Sequence, residues 1–373
     1  MRILIDFTQI PVQKTGVGIY AVNLLKELIN NNRSEEIFVT VQDDDAEISQ
    51  IKNNRVRLIR IKSRIFRRLP FRICFEQIIL PFIAFTHKVD IIHSLHYSFP
   101  LVCFSKKRIV TIHDLTFFRY PQFHLCIKRN YFKFFIYIAH HFVNKIIVVS
   151  ESTKKDLVKF TNTRSELVSV IHLGCTEEMP EISKADIEKV RRKYALPDKY
   201  LLNLGVIEPR KNIIRLILAF HKIQEYQKEY CLVIAGKKGW LYKDVFLLIK
   251  KLELEKKVIF VGFVEEKDKY VLMKGAKIFI YSSVFEGFGL PVIEAMNLGI
   301  PTIANNGSSI SEFAKKGAIL VNTKNVDTIS TAICQLINDQ ELYRHVSKRS
   351  KLITKQFTWR ETARKTVQEY NSI

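Results

Sequence analysis

Two hydrophobic patterns alternate along most of the chain. Short runs rich in β-branched and aliphatic residues, "RILIDF", "IFVTV", "VRLIRI", "VDIIHS", "KRIVTIHD" and "KIIVVS", predict strands. Several are separated by stretches with apolar residues at helical spacing, such as "GIYAVNLLKELINN". After about residue 180 the alternation restarts. "KYLLNLG", "YCLVIAG", "KVIFVGFV", "AKIFIYSS", "PTIAN" and "AILVN" read as strands. "NIIRLILAFHKIQEY", "YKDVFLLIKKLEL" and "LPVIEAMNLG" read as helices. Such alternation predicts an α/β fold with parallel sheets covered by helices on both faces, and two series predict two doubly wound domains. The polar stretch 175–198, with Pro180 and Pro197, marks the junction. The expected domains are 1–178 and 179–355, followed by an amphipathic helix over 356–373.

"MRILIDFTQI" reads as a first strand rather than a signal peptide. The apolar run 73–85 is too short to span a bilayer, and 131–149 is broken by Lys133, His140, His141, Asn144 and Lys145, so no transmembrane helix is expected. The 373 residues are ample for two cores, and 47% hydrophobic with 26% charged residues is ordinary for a globular protein. Cys74, Cys103, Cys126, Cys175, Cys231 and Cys334 form no CxxC pair. That spacing argues against zinc ribbons and redox dithiols and fits reduced thiols in a cytosolic setting.

Charge changes the picture more. Lys and Arg number 59 against 37 Asp and Glu, a formal +22, which points to an anionic partner. Part of the excess is concentrated: 52–72 holds Lys52, Arg55, Arg57, Arg60, Lys62, Arg64, Arg67, Arg68 and Arg72 with no acid, interleaved with Ile65, Phe66, Leu69 and Phe71. Basic and apolar side chains together suit an anionic membrane surface. A solvated basic loop and a nucleic-acid contact are the other readings. Nothing resembles an RNP strand, basic zipper or zinc knuckle, and the charge is spread over both domains, so no nucleic-acid partner is expected.

In open parallel sheets ligands bind beyond the carboxyl ends of the strands, so residues just after strands carry the candidate chemistry. "SSVFEGFGLPVIEAMNLGIP" follows a strand and places Glu286 and Glu294 on either side of Gly287-Phe288-Gly289. Glycines let a backbone approach a ligand closely. A helix starting near Leu290, with Pro291 where a missing N–H costs nothing, offers free amides and a positive dipole end to a phosphate. Glu294, about one turn in, can accept both hydroxyls of a ribose. Glu286 can reach hydroxyls beyond the phosphates. A helix start with a capping acid and a surface glutamate is the plainer alternative.

"LNLGVIEPRKNIIR" ends a strand at Gly205 and carries Arg210 and Lys211 before a helix capped by Asn212. A guanidinium fork beside a mobile ammonium suits a diphosphate, or is an exposed basic loop. "QKTGVGIY" has Gly16 and Gly18 but no third glycine, a poor dinucleotide fingerprint. Asp43, Asp44 and Asp45 read as a charged turn rather than a metal site. His113 follows a strand directly and can donate a hydrogen bond or move a proton, or be structural, as can His93 and His96.

Together these stretches resemble the retaining glycosyltransferase family 4 of the GT-B fold, two Rossmann-like domains facing across a cleft. The resemblance covers most of the chain and is strongest over 200–312, in "GVIEPRKNI", "VIAGKKGW", "VGFV" and the E-x7-E signature Glu286 to Glu294. "TGVGIY" and "VTIHDL" resemble the branch acting on mannose-type donors in bacterial surface polysaccharide (lipopolysaccharide) synthesis. The resemblance implies roles. Gly16 and Gly18 face the donor diphosphate. Arg210 and Lys211 bind it as it leaves. Glu286 and the amides of Phe288, Gly289 and Leu290, with Gly287, hold sugar and phosphate. Glu294 holds the ribose, and His113 lies near the transferred sugar. Gly205 and the loops of Gly236, Lys237 and Phe263 complete the donor site. No metal and no resident cofactor are implied. The co-substrate is a nucleotide-sugar, GDP-mannose favoured and a UDP-sugar next. A sugar-nucleotide-binding protein or epimerase without transferase activity is the runner-up. The acceptor is a lipid-linked glycan, and the final helix returns to the first domain. The expected location is the inner face of the cytoplasmic membrane, as a peripheral protein. Two departures stand out: Val206 where many members carry Arg, and the basic "FAKKGAIL" where many continue with a glycine-acid loop, although Glu312 matches.

Overall fold

The computed structural model describes every residue except 31–34, 104–105, 177–180 and 226. The chain divides into two compact units, Met1–Gly174 with Trp359–Ile373, and Cys175–Thr358. The boundary expected after residue 178 falls on 177–180, outside the described residues.

Among the described residues the first unit holds seven parallel strands: β1 (Arg2–Asp6), β2 (Glu36–Gln42), β3 (Val56–Ile61), β4 (Ile91–Ser94), β5 (Lys107–Ile112), β6 (Lys145–Val148) and β7 (Val168–Val170). Their spatial order is β3-β2-β1-β4-β5-β6-β7. β1 to β3 step outward in one direction, and β4 returns to the other side of β1, so the order reverses between β1 and β4. The central strands are buried almost throughout, as strands covered on both faces must be. β3 is an edge strand, and part of the basic stretch lies on it: Arg57 and Arg60 are exposed there, the kind of charge that discourages edge-to-edge pairing.

The apolar run read as 73–85 belongs to a longer helical segment, Leu69–Thr86, interrupted by a π turn at Phe75–Ile79. By length and composition it could cross a membrane, contrary to the expectation from the shorter run. Phe75, Leu80 and Ala84 of this helix are nevertheless fully buried against Leu4, Phe38 and Ile92 of the sheet. Pro81 lacks the N–H that an α-helix would use at that point, and a π turn just before it relieves the lost bond and the ring's clash with the preceding turn. The final helix, Trp359–Asn371, packs on the Val17–Asn30 helix of the first unit. Its Tyr370 hydroxyl lies 2.7 Å from His93 Nδ1.

The second unit holds six parallel strands among the described residues: β8 (Tyr200–Leu204), β9 (Cys231–Ala235), β10 (Val258–Gly262), β11 (Ile278–Tyr281), β12 (Thr302–Asn305) and β13 (Ile319–Val321). Their order is β10-β9-β8-β11-β12-β13, reversing between β8 and β11. These two strands pair over two positions only, Leu201 with Ile278 and Leu202 with Phe279. Beyond them the Asn203 amide donates to the Ile280 carbonyl (2.7 Å) in place of a backbone partner. A side chain is longer than a backbone bond, so the two strands part at their carboxyl ends while their polar groups stay satisfied.

Candidate active site

The opening between β8 and β11 gathers the charged residues singled out in the sequence. After β8 a short 3-10 turn, Pro209–Lys211, carries Arg210 and Lys211. After β11 comes the loop with Ser283 and Glu286. The two loops are tied together: Ser282 Oγ donates to the Lys211 carbonyl (2.7 Å), and the Val284 amide to the Arg210 carbonyl (3.0 Å). Asn212 does not cap the following helix as its position suggested. Its backbone is left-handed (φ 56°), and its side-chain amide donates to the carbonyls of Thr323 (2.7 Å) and Ser282 (3.3 Å).

Glu286 is the hub. Its Oε1 accepts from Lys211 Nζ (2.7 Å), Ser283 Oγ (2.6 Å) and the Tyr281 hydroxyl (3.1 Å), and Arg210 Nη1 lies 2.7 Å away. Burial opposes its charge, but Arg210 and Lys211 outweigh burial and hold the carboxyl far below the usual carboxylate range. Burial pushes the Lys211 ammonium down, against the pull of Glu286. Arg210 is also held by Glu208, Nε to Oε1 at 3.0 Å, and donates to the Phe285 carbonyl (3.1 Å). Two cations and two carboxylates are thus packed into one buried cluster. Tyr281 and Glu208, unassigned from sequence, belong to it.

The glycine turn lies buried beside this cluster. Gly289 has φ 104°, which an L side chain rarely adopts, and a Cβ there would come within 2.9 Å of Ile310. The Leu290–Asn297 helix starts on it, with Pro291 in its first turn. Ser309 Oγ donates to the carbonyls of Glu286 (2.8 Å) and Phe288 (3.1 Å), and the Phe288 ring stacks on Phe313. The first amides of a helix have no partner within it, so this turn presents donors and a positive dipole end at the β8/β11 opening.

Glu294 sits inside the same helix, and Lys269 Nζ reaches its Oε1 at 2.8 Å, with the Tyr270 hydroxyl at 3.4 Å. Burial raises the Glu294 carboxyl, and Lys269 counters that. Lys269 also pairs with Glu266 (2.7 Å). Nothing local in the sequence marked Lys269. Gly205, Gly236 and Phe263 lie where the loops after β8, β9 and β10 meet. The Gly205 amide donates to the Ala235 carbonyl (2.8 Å), and Gly236 to Gly262 (2.7 Å). A Cβ on Gly236 would lie 1.9 Å from the Gly205 carbonyl oxygen, so a glycine is required there. Lys237 Nζ lies 4.8 Å from the centroid of the part-exposed Phe263 ring, forming a cationic, flat surface patch.

Gly16, Gly18 and His113 belong to the first unit. Gly16 (φ 33°) is exposed after β1 with open space where a Cβ would stand, and Gly18 is buried in the first turn of the next helix. His113 directly follows β5. Its Nε2 lies 2.9 Å from the Leu95 carbonyl, which assigns the proton to Nε2 and a lone pair to Nδ1. Burial keeps the imidazole below its ordinary range, so it is neutral near pH 7. The aspartates at 43–45 form a turn: Asp43 accepts from the Ser63 amide, Asp44 pairs with Arg67, and Asp45 with Lys14. Among the described residues no cluster of three His, Cys, Asp or Glu side chains could hold a metal ion.

Residues 14–178 match the family model "Glycosyltransferase Family 4" and residues 186–352 match "Glycosyl transferases group 1". O-antigen chain mannosyltransferase B of Escherichia coli is 26% identical over 388 aligned positions, covering 100% of both chains. The serotype-specific mannosyltransferase WbdA of Escherichia coli is 30% identical over 233 residues, which span 61% of this chain but 29% of that protein. Among solved structures, Anabaena Alr3699/HepE in complex with UDP and glucose superposes with a TM-score of 0.78 at 18% identity, covering 100% of both chains. With two Rossmann-like units of matching fold, each carrying a glycosyltransferase model, the chain belongs to the family 4 glycosyltransferases of the GT-B fold.

Proposed function

We propose that this glycosyltransferase moves a mannosyl residue from GDP-mannose to a lipid-linked glycan at the inner membrane surface, with retention at the anomeric carbon and without a metal ion. The observation that carries the donor class is the β8/β11 opening, where Arg210, Lys211 and the start of the Leu290–Asn297 helix converge. Cleaving a sugar–diphosphate bond leaves an oxocarbenium-like carbon and a dianionic leaving group. Preorganised cations and helix amides aimed at that charge supply the electrostatic stabilisation that usually dominates catalysis. Glu286 then releases part of its hold on Arg210 and Lys211 and turns to the hydroxyls of the donor sugar. Glu294 takes the ribose, with Lys269 offsetting part of the cost of burying its carboxyl. In a front-face reaction the C1–phosphate bond breaks as the acceptor oxygen bonds C1 on the same side, and the acceptor's proton passes to the departing phosphate oxygen. Neutral His113 orients a hydroxyl through the lone pair on Nδ1.

Mannose as the sugar follows the names of the relatives, O-antigen chain mannosyltransferase B above all. The lipid-linked acceptor rests on the first unit. The Leu69–Thr86 helix exposes Phe71, Ile78, Phe82 and Phe85, and Arg64 and Arg68 are exposed just before it. Because Phe75 and Leu80 anchor its other face in the core, this helix lies on a membrane rather than through it.

A thermal-shift series with GDP-, UDP-, ADP- and dTDP-sugars, without added metal, tests the reading. A ligand at 100 times its Kd adds about 2.7 kcal/mol. Stabilisation by a GDP-sugar, lost in Glu294→Ala and in Glu294→Gln, is the expected result. Stabilisation by a UDP-sugar instead reassigns the base. No stabilisation by any of the four refutes the donor site.

A further inference from the structure

Glu76 has no part in the donor chemistry, yet the fold buries it at 1% exposure in the π turn of the Leu69–Thr86 helix. A buried carboxyl is costly, and its surroundings are organised. Oε2 accepts from Ser98 Oγ (2.9 Å), Gln9 Nε2 (3.0 Å) and the Tyr131 hydroxyl (3.5 Å). Among the described residues Oε1 receives a single 3.5 Å contact, from Gln77. Donors crowded on one oxygen leave the other for a proton. Burial, with Asp6 adding to it, pushes the carboxyl up to about 8, so it is neutral at pH 7.

Around this neutral acid stand three part-exposed side chains. Gln9 Nε2 also donates to Ser98 Oγ (2.8 Å), Arg72 Nη1 reaches Gln9 Oε1 at 3.4 Å, and the Arg72 guanidinium lies 5.7 Å from the Tyr131 ring centroid. Among the described residues Arg72 Nε is buried without a hydrogen-bond partner. Gln9 follows β1 and Ser98 follows β4, so the cluster occupies the point where the strand order of this sheet reverses, the position at which doubly wound sheets bind ligands. The turn after β4 also supplies the Leu95 carbonyl that holds His113. One short segment therefore orients both the cluster and the histidine.

We propose that Gln9, Arg72 and Tyr131 form a sugar-binding subsite for the acceptor, held from beneath by Glu76 and Ser98. An amide, a guanidinium and a phenol offer donors, acceptors and a flat apolar face, which match the hydroxyls and C–H face of a sugar ring. The flat Tyr131 face beside the Gln9 amide suits a neutral sugar ring rather than a bare anion. Glu76 is a positioning residue: it fixes the Gln9 amide and the Tyr131 hydroxyl and does not touch the sugar. The inference rests on the reading that the acceptor is a glycan.

Saturation-transfer difference NMR with the methyl α-glycosides of mannose, glucose, galactose and N-acetylglucosamine tests it on the full chain. The wild type should bind at least one of them. Gln9→Ala and Arg72→Leu should weaken that glycoside at least about tenfold, the loss of roughly one hydrogen bond to a charged or buried partner. Glu76→Leu should abolish binding, and Glu76→Gln, a neutral group of the same shape, should keep it. Raising the pH from 7 to 9 should weaken binding in the wild type and leave Glu76→Gln flat. The charged and titratable groups facing Glu76 are Asp6 from β1, Arg72 from its own helix and Tyr131 from the Cys126–Phe142 helix, and Tyr131 is pushed up to about 12 by burial. Should no glycoside bind the wild type, or should binding survive Arg72→Leu and Glu76→Leu but vanish in Glu286→Gln, the subsite is refuted. Nucleotide-sugar stabilisation, measured on the same variants, is expected to be unchanged by all four first-unit substitutions. A wild type that binds a glycoside but no nucleotide-sugar separates failure of the donor reading from failure of this one.

Discussion

Lys211 is buried beside Glu286, Tyr281 and Arg210, and that placement is a poor way to gain stability. Desolvating two charges costs about what their attraction returns, whereas removing one partner leaves the other uncompensated. Lys211→Met should therefore destabilise the second unit by about 3 kcal/mol, the low end for a broken buried pair because Arg210 and Ser283 remain on Glu286. For a unit of this size that lowers Tm by roughly 6–12 °C at pH 7. The pH dependence has a definite sign. A carboxyl held below its unfolded value stabilises above about pH 4.5 and loses that contribution on acidification. The gap between wild type and variant should thus shrink toward pH 4 in calorimetric melts. An unchanged Tm at pH 7 would show that the pair is not the buried network described. Arg210, Lys211 and Glu286 stood out in sequence because their residue types follow strand ends near glycine, and Glu294 by its spacing from Glu286 across the glycine turn. Tyr281, Glu208, Lys269 and Asn203 were not, because each acts through a partner that only the fold brings near: Asn203 and Ile280 lie 77 positions apart. Asn212 misled for a local reason. A short polar residue before an apolar helix signals a cap, and a left-handed φ turned its side chain elsewhere.

Helices and strands followed from periodicity wherever the apolar run was long. β7, three residues, was too short to stand out. The Leu69–Thr86 helix was read short because Pro70 and Arg72 broke the apolar run, and a π turn leaves no mark in composition. Its exposed face now splits the basic stretch 52–72 into parts with different duties. Arg57 and Arg60 guard the edge strand, and Arg67 pairs with Asp44. Arg72 turns inward to Gln9. Arg64 and Arg68 are left beside Phe71, Phe82 and Phe85. Near an anionic leaflet each basic residue contributes about 1 kcal/mol, and apolar side chains add to that. Arg64→Glu with Arg68→Glu should weaken binding to phosphatidylglycerol vesicles by roughly tenfold or more. Phe82→Glu with Phe85→Glu should weaken it further, while Tm stays put because these side chains are already exposed. Vesicle co-sedimentation reads the outcome, and equal binding by all three proteins would refute the membrane role proposed for this face.

At the scale of the whole molecule, both units use one device: a parallel sheet whose strand order reverses beside its first strand. The two doubly wound series were legible because the alternation restarts. The end of the chain completes the first unit, as the family resemblance implied for the final helix, although periodicity alone did not show it. The Trp359–Asn371 helix buries Trp359, Ala363, Val367 and Tyr370 in that unit, and Tyr370 supplies the partner of the buried His93. Burial keeps His93 well below its usual range, so it is neutral and depends on the Tyr370 hydroxyl and Thr111 for satisfaction. A chain ending at Thr358 should therefore lose stability in one unit alone. Hydrogen exchange should accelerate by orders of magnitude in β1, β4 and the Val17–Asn30 helix, and remain at wild-type rates in β8, β9 and β11. Tyr370→Phe, which removes one oxygen, should cost about 1–2 kcal/mol in the same unit. Faster exchange in both units would mean that they unfold as one cooperative body. Unaltered exchange in the first would mean that its sheet closes without the helix. Acceleration confined to the first unit makes the terminal helix the element on which folding of that unit depends, independently of the second.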